Sequence, residues 1–136
     1  IVKHNMIDNI IEDIQNEKKM LFNKKFSKKY IKKNFIPILE YILLSDKNKF
    51  LVSGSQGVGK SSFVKILKKI IEKYYFKKVL VLNLDNYYLT KKERLLLSKK
   101  EHALLKTRGV PGTHDINKLI KDVNRFENNH NQYKIP

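Results

Sequence analysis

The sequence predicts an α/β fold in which a parallel β-sheet is flanked by helices. A short β-prone run at 50–52 is followed by a glycine-rich segment at 54–61, and then by a helical apolar pattern over 62–75. A second, nearly continuous apolar run at 78–85 is typical of a strand buried on both faces of a parallel sheet. Strand, helix and strand in this order predict a βαβ unit with a right-handed crossover.

The glycine-rich segment reads Gly-Ser-Gln-Gly-Val-Gly-Lys-Ser over residues 54–61. This is the G-x-x-x-x-G-K-S pattern of the phosphate-binding P-loop, or Walker A motif, between the strand and helix that such a loop requires. Glycines allow successive backbone amides to converge on one anion, and the amino end of the following helix adds N–H groups and a positive dipole. The sequence therefore predicts a P-loop NTPase-type sheet, of which this chain forms an incomplete part.

This loop supplies the predicted nucleotide-binding residues. Lys60 is expected to reach the β- and γ-phosphates of ATP, and the Ser61 hydroxyl to ligate Mg²⁺. Lys60 also counts as a predicted catalytic residue, because phosphoryl transfer depends on charge neutralisation. The nucleotide-binding set is Gly54, Ser55, Gln56, Gly57, Val58, Gly59, Lys60, Ser61 and Ser62.

Two helices are predicted before the first strand. Isoleucines at i, i+3, i+4 and i+7 spacing predict an amphipathic helix over 5–21, and a turn is expected at 23–25. Ser27 can cap a second helix, in which Pro37 should cause a kink or a split near Phe35.

These helices set the predicted domain boundary. Residues 1–46 are expected to pack on one face of the sheet, and residues 47–136 to form a partial P-loop kinase core.

Capping signals organise the second half of the chain. Thr90 to Glu93 form a capping box that predicts a helix from about Lys91, and Ser98 to Glu101 repeat the box, so the helix is expected to stop and restart. Two glycines and a proline predict a shaped loop over 108–115, with Thr113 or Asp115 as the cap of a last helix. The predicted apolar face of that helix consists of Ile116, Leu119, Ile120 and Val123.

Composition limits the possible classes of protein. The 136 residues carry a formal net charge of +16 and contain no cysteine, which excludes disulfides and thiolate metal sites. The lysines are spread over every predicted helix, so we favour solvated helix faces over a nucleic-acid surface. No apolar stretch approaches the roughly 20 residues of a membrane span, and we expect a cytoplasmic protein.

Asp85 is the strongest candidate outside the P-loop. It ends the second predicted strand, and ligands bind outside the carboxyl ends of strands in open α/β sheets. Asp85 is therefore expected to face the γ-phosphate as a catalytic residue that accepts a hydroxyl proton, or to hold Mg²⁺ through water. The alternative is an ordinary aspartate at the end of a strand.

Three segments together resemble the glycerate 3-kinase family of P-loop small-metabolite kinases, which is related to uridine kinase, phosphoribulokinase and pantothenate kinase. They are the P-loop at 54–61, Leu-Asp-Asn-Tyr-Tyr-Leu-Thr at 84–90, and Arg-Gly-Val-Pro-Gly-Thr-His-Asp at 108–115. The third is the most discriminating, and the resemblance covers about residues 28–136.

The resemblance implies ATP-dependent phosphorylation of a hydroxyl group on a small acid, with D-glycerate giving 3-phosphoglycerate. It further implies ATP and Mg²⁺ at the P-loop, and Asp85 as the catalytic base. The family commonly has a second acid where this chain has Asn86.

Substrate roles are assigned to Tyr88, Arg108 and His114 with alternatives open. Arg108 could bind a substrate carboxylate in a bidentate manner or tie down its own loop through carbonyls. His114 could serve the substrate or form local hydrogen bonds beside a helix cap. Tyr88 is expected to pack around the entrance of the site.

Other functions remain open at this stage. The acceptor could be of the uridine or pantothenate type. The chain could also be a nucleotide-binding fragment without turnover, or a P-loop ATPase associated with nucleic acid. Expected partners are ATP and a small hydroxy acid, with nucleic acid disfavoured and no membrane.

Overall fold

The computed structural model describes residues 4–22 and 26–128 and divides the chain into two compact units, residues 1–81 and 82–136. Six α-helices and two 3₁₀ turns form the helical structure of these residues, and no β-strand lies within the described ranges. The predicted domain boundary at 46/47 falls inside the first unit, because helices from both sides of it share one core.

Four helices of the first unit enclose a hydrophobic core. They are α1 (His4–Phe22), α2 (Lys28–Asn34), α3 (Ile36–Leu44) and α4 (Lys60–Tyr75). The helix predicted over 5–21 is confirmed; Ile10, Ile11 and Ile14 of its isoleucine stripe are buried and Ile7 is half-buried. All four helices contribute to the buried core: Ile10, Ile11, Ile14, Ile31, Phe35, Ile36, Leu39, Ile66, Leu67, Ile70 and Ile71.

The predicted split near Phe35 is confirmed. The Ser27 side chain accepts a hydrogen bond from the Tyr30 amide and caps α2, which ends at Asn34. Pro37 lies in the first turn of α3, where its missing N–H costs no intrahelical hydrogen bond. The turn predicted at 23–25 lies outside the described residues.

Charged contacts join α1 to α4 beside this core. Asp13 accepts hydrogen bonds from Lys73 Nζ at 2.6 Å and from the Tyr74 hydroxyl at 2.7 Å, and Glu17 pairs with Lys69. Burial alone would raise the pKa of Asp13, but the hydrogen bonds and the lysine charges outweigh it and hold that pKa below its ordinary value. Burial, together with the hydrogen bond to Asp13, raises the pKa of Tyr74.

The two runs predicted as strands form no ladder within the described residues. Phe50, Leu51 and Val52 are exposed, with Leu51 at 84%. Leu84 and Asp85 lie in a 3₁₀ turn (Leu84–Tyr87), so the prediction of strand for these two residues is wrong. The Asn83 side chain accepts the Asp85 amide and turns the chain there. The parallel sheet stays a prediction, since a strand is defined by a partner for its backbone groups.

The second unit is organised around two further helices. These are α5 (Lys91–Lys100) and α6 (Ile116–Asn128), and a 3₁₀ turn spans Ala103–Lys106. The capping box between Thr90 and Glu93 is confirmed. Ser98 does not form the second box, because its hydroxyl donates back to the Leu95 carbonyl; α5 ends at Lys100, and His102 caps the 3₁₀ turn instead.

The residues that α6 buries differ from those that the sequence predicted. Asp115 caps α6 as predicted, accepting the Lys118 amide at 2.9 Å. Ile116 and Ile120 of the predicted apolar face are each 50% exposed, whereas Asp122 is 4% exposed. The prediction of a buried apolar face is therefore wrong for these two isoleucines. The contact of α6 with the 84–87 turn is made instead through a hydrogen bond to Asp122.

Candidate functional site

The P-loop has the backbone conformation that an anion site needs. Gly57 and Gly59 have φ angles of 78° and 93°, in the left-handed region that favours glycine. A Cβ built at either position would meet nothing within 4 Å, so the space beside both residues is open. This geometry fits the close approach of a phosphate group to the loop backbone.

The start of α4 supplies the donors next to this loop. Gly59 is the N-cap, and the first intrahelical bond runs from the Phe63 amide to the Gly59 carbonyl at 3.0 Å. The amides of Lys60, Ser61 and Ser62 precede that bond and have no intrahelical acceptor. They are the groups that a helix start offers to an anion.

Lys60 folds over its own loop. Its Nζ donates to the Gly54 carbonyl at 2.7 Å and to the Ser55 carbonyl at 2.8 Å. The side chain therefore lies across the loop, beside Gly54, where a built Cβ would come within 3.7 Å of Lys60 Cδ. A phosphate oxygen is a stronger acceptor than these neutral carbonyls because it is charged. Lys60 is thus positioned to exchange backbone acceptors for a phosphate.

The remaining P-loop residues are accessible. Ser55, Gln56, Val58 and Ser61 are exposed and Ser62 is half-buried. No group of three or more His, Cys, Asp or Glu that could hold a metal lies within residues 4–22 and 26–128. The Ser61 hydroxyl is an oxygen ligand of the kind Mg²⁺ accepts, and phosphate oxygens and water commonly complete such a site.

Asp85 belongs to the second unit, in the 84–87 turn. It is exposed, and its amide donates to Asn83 Oδ1 at 3.1 Å. The turn is anchored by Tyr87, whose side chain is 1% exposed and whose hydroxyl donates to Asp122 at 2.8 Å. The Asp85 carboxylate therefore stands on a fixed turn and faces solvent.

The three predicted substrate residues meet in the second unit. The rings of Tyr88 and His114 are stacked, with centroids 4.1 Å apart and planes inclined by 27°. The Arg108 guanidinium lies over the Tyr88 ring, 5.4 Å from its centroid. We call these three residues the Tyr88 cluster. It presents one exposed cation beside a stack of two aromatic rings.

Backbone hydrogen bonds hold this cluster in place. Tyr88 and His114 form an antiparallel bridge, flanked by bonds from the Leu89 amide to the Thr113 carbonyl at 2.9 Å and from the Asp115 amide to the Tyr87 carbonyl at 2.6 Å. These hydrogen bonds therefore hold the 108–115 loop, which was predicted from its glycines and proline, against the segment that follows Asp85.

The sequence indicated Thr113 only as a possible helix cap and did not single out Arg94 or Asp122, yet all three are buried polar residues of this unit. Thr113 is fully buried and donates to the Val110 carbonyl at 2.6 Å. Arg94 and Asp122 are 8% and 4% exposed. Two of the partners are far away in sequence, because Lys106 lies 12 residues from Arg94 and Tyr87 lies 35 residues from Asp122. No local spacing could reveal these two contacts.

The chain is similar to curated proteins that are named as kinases. It is 40% identical over 81 residues to "Probable ATP-dependent kinase TDA10" of Saccharomyces cerevisiae, an alignment that covers 57% of this chain and 28% of that protein. It is 35% identical over 77 residues to "Uncharacterized kinase mug58" of Schizosaccharomyces pombe, covering 55% of this chain and 27% of that protein. The chain thus matches less than a third of the length of these relatives.

No protein-family model matches the chain, and no solved structure is significantly similar to it. Among the helices described, none is both long enough and apolar enough to cross a membrane.

Proposed function

We propose that this chain contributes the phosphate-binding part of an ATP-dependent kinase that phosphorylates a hydroxyl group of a small acid. The observation that carries the proposal is the P-loop at 54–61, with its left-handed glycines, its lysine and the free amides of α4. The similarity to a protein named as a probable ATP-dependent kinase supports the ATP-dependent kinase part of this proposal, and the acceptor is proposed on other grounds. A cytoplasmic location belongs to this proposal as well.

The proposed acceptor is D-glycerate, converted to 3-phosphoglycerate. This choice follows the resemblance of the 108–115 segment and is supported by the Tyr88 cluster. Arg108 offers an exposed guanidinium, the planar partner that suits a carboxylate. D-glycerate carries that carboxylate at C1, two carbons from the C3 hydroxyl to be phosphorylated, whereas uridine carries no such charge.

Each group of residues has its own role in this proposal. Lys60 and the amides at the start of α4 bind the triphosphate, and Ser61 contributes to a Mg²⁺ site that neutralises charge on the phosphates. Asp85 accepts the proton of the attacking hydroxyl or ligates the metal through water. Arg108 holds the acceptor carboxylate.

The decisive experiment compares D-glycerate, uridine and pantothenate as acceptors for the whole protein with Mg-ATP. We expect glycerate to be preferred. Asp85→Asn should lower kcat about 10²-fold or more, the range for general-base groups, with ATP affinity little changed. Arg108→Lys should raise the KM for glycerate about tenfold, equivalent to ~1.4 kcal/mol, because one ammonium cannot replace the two-pronged fork.

Preference for uridine or pantothenate would overturn the assignment of the acceptor. Phosphorylation of none of the three acceptors, with intact ATP binding, would contradict the kinase proposal and favour a nucleotide-binding fragment without turnover.

A further inference from the structure

A buried arginine of α5 bonds two separate segments of the second unit. Arg94 is 8% exposed, and its guanidinium donates from Nη1 to the Leu89 carbonyl and from Nε to the Lys106 carbonyl at 3.3 Å. Arginine is rarely buried without such partners, because removing its charge from water is costly unless its donors are satisfied. The buried position of Arg94 therefore depends on both carbonyls.

Both carbonyls adjoin the Tyr88 cluster. Leu89 directly follows Tyr88, and Lys106 precedes Arg108 by two residues. Leu89 is also held from its other side, where its amide donates to the Thr113 carbonyl. One guanidinium thus fixes the spacing between the segment that carries Tyr88 and the turn that leads to Arg108.

We propose that Arg94 is the positioning residue for acceptor recognition, acting through Arg108. The inference rests on the proposed function, in which Arg108 binds the acceptor carboxylate. The guanidinium that bonds backbone carbonyls beside the cluster is that of Arg94. Arg108 instead rests on the Tyr88 ring with its guanidinium exposed to an acceptor.

The test uses the whole protein with Arg94→Lys, which keeps the charge but has a single amino group to reach two carbonyls. We expect the KM for the acceptor acid to rise about tenfold, since small displacements of a positioning group have effects of this order or larger. The KM for ATP should stay within about twofold of wild type. Lys99→Met, at an exposed position of the same helix, is the matched control and should leave both constants unchanged.

A double-mutant cycle separates positioning from general damage to the fold. If Arg94 acts through Arg108, the variant carrying both Arg94→Lys and Arg108→Lys should have the acceptor KM of Arg108→Lys alone. If the free-energy penalties of the two substitutions simply add in the double variant, the inference that Arg94 acts through Arg108 is overturned. An unchanged acceptor KM in Arg94→Lys, or a fall in kcat alone, would overturn the proposal as well.

Hydrogen exchange gives a readout that does not depend on turnover. The Leu89 amide should exchange at least about tenfold faster in Arg94→Lys than in wild type and in Lys99→Met, because its segment loses one of its two anchors. Unchanged exchange would overturn the positioning step even if the wild-type protein phosphorylates no acceptor. Absence of phosphorylation with faster exchange would instead refute the proposed function alone.

Discussion

Lys60 links the conformation of the P-loop to its charge. Its ammonium group bonds two carbonyls of the loop, Gly54 and Ser55, so the side chain both closes the loop and brings a positive charge to it. The same atom is the one expected to meet the β- and γ-phosphates. A substitution here therefore tests the nucleotide site more directly than any change in the glycines, which would also strain the backbone.

Lys60→Ala should weaken binding of Mg-ATP at least about tenfold, on the order of 1.4 kcal/mol. The physical reason is the loss of the charge aimed at the phosphates. Isothermal titration of the whole protein measures the effect. Lys65→Ala, an exposed lysine on the same helix, is the control and should bind ATP as wild type does. Equal affinities for the Lys60→Ala variant and wild type would refute the nucleotide site.

His102 and His114 both make local structural contacts that the sequence alone does not reveal. His102 lies outside the segments predicted to form a site. It is exposed, yet its Nδ1 accepts the Leu104 amide at 3.3 Å and caps a 3₁₀ turn. His114 bonds through its backbone bridge to Tyr88 and stacks on that ring. Both contacts are consistent with local structural roles, and the stack also places His114 in the Tyr88 cluster.

At the scale of elements, α6 is joined to the turn that carries Asp85 through a buried hydrogen bond. The Tyr87 hydroxyl donates to Asp122, and both side chains are buried. The Asp115 amide adds a backbone bond to the Tyr87 carbonyl at the start of the same helix. The orientation of the turn is therefore set by α6.

Tyr87→Phe should destabilise the second unit by about 1–3 kcal/mol, because it leaves a buried carboxylate oxygen without that donor. Urea unfolding of the whole protein, followed through hydrogen exchange of α6 amides, measures the loss. Tyr41→Phe removes a hydroxyl from a side chain that is 66% exposed and should change stability little. Equal stability of Tyr87→Phe and wild type would contradict the anchoring role.

The contact between α1 and α4 should make the first unit sensitive to acid. The pKa of Asp13 is lowered in the folded state, so its contribution is fully present above its unfolded value of about 4. It is lost as the pH falls from there through the lower folded value.

Asp13→Asn should therefore flatten the decline in the unfolding free energy of the first unit as the pH falls below about 4. Chemical unfolding at several pH values measures this slope. Asp8→Asn, an exposed carboxylate on the same helix, should keep the wild-type slope. A slope for Asp13→Asn equal to that of wild type would mean that Lys73 and Tyr74 do not hold the carboxylate in solution.

At the scale of the whole molecule, the features predicted correctly from the sequence are those determined by residues that lie close together along the chain. The α1 stripe, the split at Pro37, the Thr90 capping box and the Asp115 cap all involve residues within about two helical turns of each other. These features follow from local hydrogen bonds and apolar periodicity, so they could be predicted from the sequence without knowledge of the tertiary structure.

Long-range contacts could not be predicted in this way. The bonds from Arg94 to Lys106 and from Tyr87 to Asp122 join residues that are 12 and 35 positions apart, and they meet only once the second unit has folded. The runs at 50–52 and 78–85 are a different case. Their apolar sequence favours strands, but a strand forms a sheet only when a second segment of backbone pairs with it. The sequence of the run does not identify that partner segment.

The net charge of +16 raises the question of whether the whole chain binds polyanions. Within the described residues, part of the positive charge is paired on the surface, as in Lys69 with Glu17, Lys73 with Asp13 and Lys68 with Glu72. A nucleic-acid surface combines a continuous basic groove with aromatic rings on which bases stack. The lysines here are distributed over several helices of both units instead.

We therefore expect single-stranded and duplex DNA or RNA to bind the protein more weakly than about 100 µM at 150 mM salt, at or beyond the weak end of non-specific binding. Fluorescence anisotropy over a series of salt concentrations measures this, with Mg-ATP titrated under the same conditions as the reference ligand. ATP binding should persist at 150 mM salt, because it depends on the P-loop geometry as well as on charge. Micromolar nucleic-acid binding with a steep logarithmic dependence on salt would contradict this expectation. It would favour a P-loop ATPase associated with nucleic acid over a metabolite kinase, since a kinase for a small acid has no need of a surface that displaces counterions from a polyanion.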